Sequence, residues 1–235
     1  ANRAAMNGML LEIASGLVFT ILGLTLARTY YVIQTDITGI VEYGADYLTI
    51  ACGCCMGIFL SVLSERLVQA TGRTVYAMVI QGVGSVINLI LDPIFIFGYF
   101  GLPRMETMGA AIATVIGQCM GMLAGIFINR RWNPEIPFGF TLRPDFGSVK
   151  AILKVGVPST LVQVLTSFVS MVMNTILLGF SSTAVAVYGV CIRIFGISTV
   201  GVHGIDNGLI PIVAYNYGAG KKERISQAVK WAMIY

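Results

Sequence analysis

The sequence predicts an all-α polytopic membrane protein: six transmembrane helices and part of a seventh, belonging to parts of two helical lobes. Three observations point there. Of the 235 residues, 56% are hydrophobic and only 11% are charged, against about 25% charged in a soluble domain, and the mean hydropathy is +0.82. So little polar surface cannot cover a water-soluble body, which excludes a soluble enzyme, a disordered chain and a nucleic-acid partner and makes the lipid bilayer the expected surroundings. Second, apolar runs of the roughly 20 residues needed to cross a bilayer occupy 8–33, 44–66, 75–100, 107–129, 150–179 and 183–214, with a further one opening near 225. Third, the basic residues alternate with the crossings. With residue 1 on the cytoplasmic side, eleven fall in cytoplasmic segments (Arg3, Arg66, Arg73, Arg130, Arg131, Arg143, Lys150, Lys154, Lys221, Lys222, Arg224) and two, Arg28 and Arg104, outside. This is a positive-inside pattern, and it accounts for the net charge of +4 without an anionic ligand.

The breaks between runs carry turn chemistry at Gln34–Gly39, Ala70–Arg73, Gly101–Arg104 and Gly218–Lys222. The longest polar stretch, Asn129–Lys150, holds Pro134, Pro137 and Pro144. It divides the chain into 1–129, four crossings of an N-terminal lobe; 130–149, a cytoplasmic linker; and 150–235, two crossings and the start of a third in a C-terminal lobe. The run from Ala4 is helix-like from the start, without the charged n-region and short apolar core of a signal peptide. Ser226–Tyr235 reads as the opening of another helix. The chain is therefore expected to be a stretch of a longer polypeptide, whose remainder is a partner.

Five cysteines (Cys52, Cys54, Cys55, Cys119, Cys191) lie in apolar runs. Their odd number and spacing fit neither a disulfide framework nor a zinc site, so small apolar packing is expected. Gly117, Gly121 and Gly125 repeat every fourth residue on the fourth helix, a face that lets helix backbones approach in lipid.

Two crossings carry polar stripes. On the third helix Gln81, Ser85, Asn88 and Asp92 step by 4, 3 and 4 and share one face. Pro93 follows Asp92 directly, so a kink and a freed Leu89 carbonyl are expected there. An ionised carboxylate near the bilayer centre costs about 2.5–3.5 kcal/mol. It is worth keeping if it exchanges a proton or cation during transport; the other reading is a neutral, hydrogen-bonded Asp that pins the kink. On the fifth helix Ser159, Gln163, Thr166, Ser170 and Asn174 again share a face, lining a passage or hydrogen-bonding a neighbour, with Gly156 and Pro158 opening the helix. The fourth helix adds Thr114 and Gln118. The sixth carries Arg193, the lone His203 and Asp206. There is no HExxH, G-x-S-x-G or P-loop, so neither an enzyme nor a bound metal or cofactor is expected.

Several motifs occur together. Glu65-Arg66 with Gly72-Arg73, then Asn88-Leu-Ile-Leu-Asp92-Pro93-Ile-Phe-Ile-Phe, then Met108-Gly-Ala-Ala-Ile-Ala-Thr114-Val-Ile-Gly-Gln118, then Val155-Gly156-Val-Pro158, then Asn207-Gly-Leu-Ile-Pro211 through Gly218-Ala219-Gly220. In this order they resemble the multidrug and toxic compound extrusion (MATE) family over nearly the whole chain. The resemblance implies twelve helices in two six-helix lobes, of which this chain is similar to helices three to eight and the start of nine. It implies a secondary active antiporter of the bacterial plasma membrane that exports small organic cations or drugs in exchange for H+ or Na+. It places the cation-coupling set on Asn88, Asp92, Tyr47 and Thr114, backed by an acid on a first helix that this sequence does not contain. Gln81, Ser85, Gln118, Gln163, Thr166, Ser170 and Asn174 would line the cavity. A second branch of the family carries a glutamate eight residues after the Gly-x-Pro proline; here that position is Thr166, which favours Asp92. The alternatives are a flippase for lipid-linked oligosaccharides of related fold, which needs a cationic cavity where this chain has little beyond Arg193, and a non-transporting membrane scaffold.

Overall fold

The computed structural model describes residues 2–34, 37–136 and 144–234. Pro137 and Arg143 of the expected linker, and Thr35 and Asp36 of the first turn, lie outside the described residues. Every regular element described is helical: α1 (Asn2–Gln34), α2 (Thr38–Gly53), α3 (Met56–Ala70), α4 (Thr74–Phe97), a short 3-10 turn (Tyr99–Gly101), α5 (Glu106–Trp132), α6 (Phe146–Leu178), α7 (Ser182–Gly218) and α8 (Lys222–Ile234). By length and hydropathy α1, α4, α5, α6 and α7 can each cross a membrane, and α2 with α3 makes a sixth, bent crossing.

That bend corrects the expected single helix over 44–66. The crossing breaks between Gly53 and Met56 with a 50° change of direction. Gly and Cys are weak helix formers, and at the break Cys55 is drawn sideways onto α1. Its thiol donates to the Gly16 carbonyl (3.4 Å) and lies 3.5 Å from the Thr20 hydroxyl.

The expected helix start at Pro158 is also corrected. Pro158 sits inside α6, which begins at Phe146. The start is set upstream by Asp145, whose carboxylate accepts from the Gly147 N–H (3.2 Å) and the Ser148 hydroxyl (2.7 Å), an N-terminal cap. These two donors, the Ser148 hydroxyl foremost, hold the Asp145 carboxyl below the usual aspartate range. Pro93 likewise lies inside one continuous α4. Such prolines persist in membrane helices where surrounding groups re-satisfy the backbone. The linker narrows, because α5 runs on to Trp132 and α6 starts at Phe146.

The chain divides into two compact units, Ala1–Val149 and Lys150–Tyr235. In the first, α5 packs against α2, α3 and α4, and α1 packs against α2 and α3. The glycine face of α5 works as its spacing suggests. A Cβ on Gly117 would stand 2.7 Å from the Gly84 carbonyl oxygen of α4, so only glycine permits this approach. Val68, Ile80 and Ile128 form a buried apolar cluster where α3, α4 and α5 meet, with Tyr76 against it. Tyr76 stacks on Trp132 with ring centroids 5.5 Å apart.

Beside this cluster lies a buried amide clamp. Asn129, 1% exposed, donates from Nδ2 to the carbonyls of Ser64 and Gly125, both at 2.9 Å. Asn133 donates to Asn129 Oδ1 at 3.1 Å and to the Leu67 carbonyl at 3.4 Å. Arg73 pairs with Glu135 at 3.5 Å over the same end. Near the start of α1, the buried Asn7 accepts from the Asp145 backbone N–H at 2.9 Å.

In the second unit α7 packs against α8. None of the described residues of α6 is buried. Ser181 caps α7 by accepting from the Ala184 N–H at 3.0 Å.

Candidate functional site

The polar stripe of α4 meets α5 at a three-residue hydrogen-bonded set. Asn88 Nδ2 donates to Asp92 Oδ1 at 3.2 Å and to Thr114 Oγ1 at 3.4 Å. The Thr114 hydroxyl donates to the Ala110 carbonyl one turn back, at 2.8 Å. Helical spacing explains the arrangement: Asn88 and Asp92 are four residues apart on one face, and the Gly84–Gly117 contact brings α5 close enough for Thr114 to reach it. All three side chains are half-buried.

This set stands at one end of a cleft of about 260 Å³. Gln81, Ser85 and Asn88 line it from α4, and Thr114 and Gln118 from α5. The third wall is α3, through Ser61 and Glu65, with Ile58, Val62 and Ile80 as apolar lining. Asp92 is not itself a lining residue and is joined to the cleft through the Asn88 amide. The chemistry available is a carboxylate with an amide donor, two hydroxyls and further amides, inside helices otherwise suited to lipid.

Five of the expected residues therefore come together on the cleft: Asn88, Thr114, Gln81, Ser85 and Gln118. Tyr47 is half-buried on α2, outside both the hydrogen-bonded set and the cleft lining. Gln163, Thr166, Ser170 and Asn174 are exposed along α6 in the second unit. Two hydroxyls of this stripe bond back to their own helix, Ser159 donating to the Val155 carbonyl at 3.2 Å and Thr166 to the Val162 carbonyl at 3.0 Å. Arg193, His203 and Asp206 are exposed on α7.

Sequence reasoning left two groups without a role. Glu65 was visible only as part of a motif; its place four residues before Gln69, whose Nε2 donates to Glu65 Oε1 at 3.0 Å, marks it as a positioned carboxylate. Asn129 and Asn133 continue the four-residue rhythm of Gly117, Gly121 and Gly125. That rhythm is the available signal that both belong to the packing end of α5, Asn129 within the helix and Asn133 as the residue that closes it.

The MatE family signature matches residues 1–94 and 158–235. Similar proteins include the multidrug export protein MepA of Staphylococcus haemolyticus, 29% identical over 82% of this chain and 42% of its own length. The probable multidrug resistance protein NorM of Thermotoga maritima is 28% identical over 98% of this chain and 50% of its own length. Among solved structures, a MOP superfamily transporter from Pyrococcus furiosus superposes with a TM-score of 0.86 over 99% of this chain and 51% of that one, at 23% identity, a likeness of fold. The chain spans about half the length of the curated relatives it matches. It is an integral membrane protein of several helical crossings, and it belongs to the MatE family.

Proposed function

We propose that this chain is part of a secondary active antiporter of a bacterial plasma membrane, with residue 1 on the cytoplasmic side, that exports small organic cations or drugs against an inward flow of H+ or Na+. The observation that carries the reading is the Asn88–Asp92–Thr114 set beside a polar cleft within apolar crossings. A carboxylate held there is expensive unless ions reach it. Asn88 has one amide hydrogen for each partner, so it links the state of Asp92 to the cleft wall. When Asp92 takes up a proton or cation, its pull on Asn88 falls and Thr114 becomes the amide's better acceptor. The cleft then changes its hydrogen bonding without any large motion. In this reading Tyr47 belongs with Asn88, Asp92 and Thr114 to the coupling set, and Gln163, Thr166, Ser170 and Asn174 of α6 to the cavity-lining residues.

The test is Asp92→Asn in the full-length polypeptide. Efflux of a fluorescent organic cation should fall to the level of cells lacking the transporter, at an unchanged amount of protein in the membrane. Unaltered efflux would remove Asp92 from the mechanism. Proton and sodium coupling separate by imposing a pH gradient or a sodium gradient alone on proteoliposomes.

A further inference from the structure

The cleft is lined by one carboxylate, Glu65, which the coupling set does not use. Glu65 lines it from α3, while Gln81 and Ser85 line it from α4. Gln69 steadies Glu65 by donating to Oε1 at 3.0 Å, and its own Oε1 accepts from Arg66 Nη1 at 2.8 Å. Along α4 the level of Gln81 is roughly 16 Å from that of Asp92, at 1.5 Å per residue. The two acids therefore occupy separate positions, with Asn88 common to the cleft and to Asp92.

We infer that Glu65 is a binding residue for the positively charged head of an organic substrate, placed toward the α3–α4 turn and distinct from the coupling position at Asp92. This rests on the exporter reading above. The surroundings define the ligand class. Ile58, Val62 and Ile80 are apolar, and Ser61, Gln81 and Ser85 are neutral. One carboxylate among aliphatic walls suits a lipophilic cation of diffuse charge. A metal ion would need more anionic ligands, and no group of three or more His, Cys, Asp or Glu among the described residues could supply them. A cleft of about 260 Å³ holds a ring-sized head and leaves a larger substrate's remainder outside.

The experiment uses the purified full-length protein with tetraphenylphosphonium as probe, measured by calorimetry. Glu65→Gln should weaken binding about tenfold or more, and Glu65→Asp should keep it within about threefold of the wild type, because a charge and not a shape is recognised. Equal binding by wild type and Glu65→Gln overturns the inference and leaves the exporter reading standing; failure of the wild type to bind overturns both. Should Glu65→Gln not fold, carbodiimide labelling of the wild type decides. Tetraphenylphosphonium should protect the Glu65 carboxyl, and undiminished labelling sinks the assignment.

Discussion

The polar stripes of α4 and α6 look alike on paper and end differently. Each spaces amides and hydroxyls every three or four residues along a lipid-length helix. On α4 the stripe reaches across to α5, where Asn88 binds Thr114 and the cleft forms. On α6 the Ser159 and Thr166 hydroxyls bond back to carbonyls of their own helix and the face stays exposed. The difference lies in the neighbour. Opposite α4, the glycines of α5 admit backbone contact; for α6 none of the described residues is buried. Periodicity names a face, and packing decides whether that face becomes a site.

The comparison can be broken most strongly at the glycine that enables it. Gly117→Leu would force side-chain atoms into the Gly84 carbonyl and Asn88, since even a Cβ comes within 2.7 Å and 3.0 Å of them. Overpacking of this kind costs about 1–3 kcal/mol. The thermal midpoint in detergent should fall, and the Asn88–Thr114 contact should open. An unchanged melting curve would mean that α4 and α5 can separate freely.

A finer test substitutes one threonine in each stripe. Thr114→Val removes the interhelical acceptor of Asn88 and should destabilise by about 0.6 kcal/mol, the average for such bonds in membranes. Thr166→Val removes only a bond to its own helix and should stay within about 0.5 kcal/mol of the parent. Equal losses, measured by denaturation in mixed micelles, would erase the distinction between the stripes.

The smallest effect concerns the entry to α6. Asp145 has its folded-state pKa lowered, first by the Ser148 hydroxyl and next by the Gly147 N–H. Its contribution is therefore fully present above the ordinary aspartate pKa, near 4, and is lost as pH falls through the lower folded value. Replacing it by Asn, which still caps, should flatten the acid limb of the stability profile while leaving neutral pH nearly unchanged. An identical acid limb would show that the cap does not titrate.

Much of this architecture was legible in the residues. The apolar runs locate the crossings because lipid length is a hard constraint, and the rhythm of Gly117, Gly121 and Gly125 announces a close helix contact. Asn88 and Asp92 could be placed on one face by counting. Three things could not be read. The break at Cys54–Cys55 depends on Cys55 meeting Gly16 of another helix, and no local pattern encodes that meeting. The start of α6 follows an aspartate cap well before the proline that seemed to mark it. The cleft needs three helices at once, and only the packing of α3 beside α4 brings Glu65 to the same cleft as Gln81.

The interrupted second crossing has a mechanical consequence. Two short rods joined by a turn, with Cys55 N–H on the Cys52 carbonyl at 3.2 Å, cannot transmit bending as one beam. The stiffness of this half of the molecule then resides in α5, the unbroken mast touching α2, α3 and α4. Thr114, mounted on that mast, is the fixed reference against which Asn88 and its acid are held.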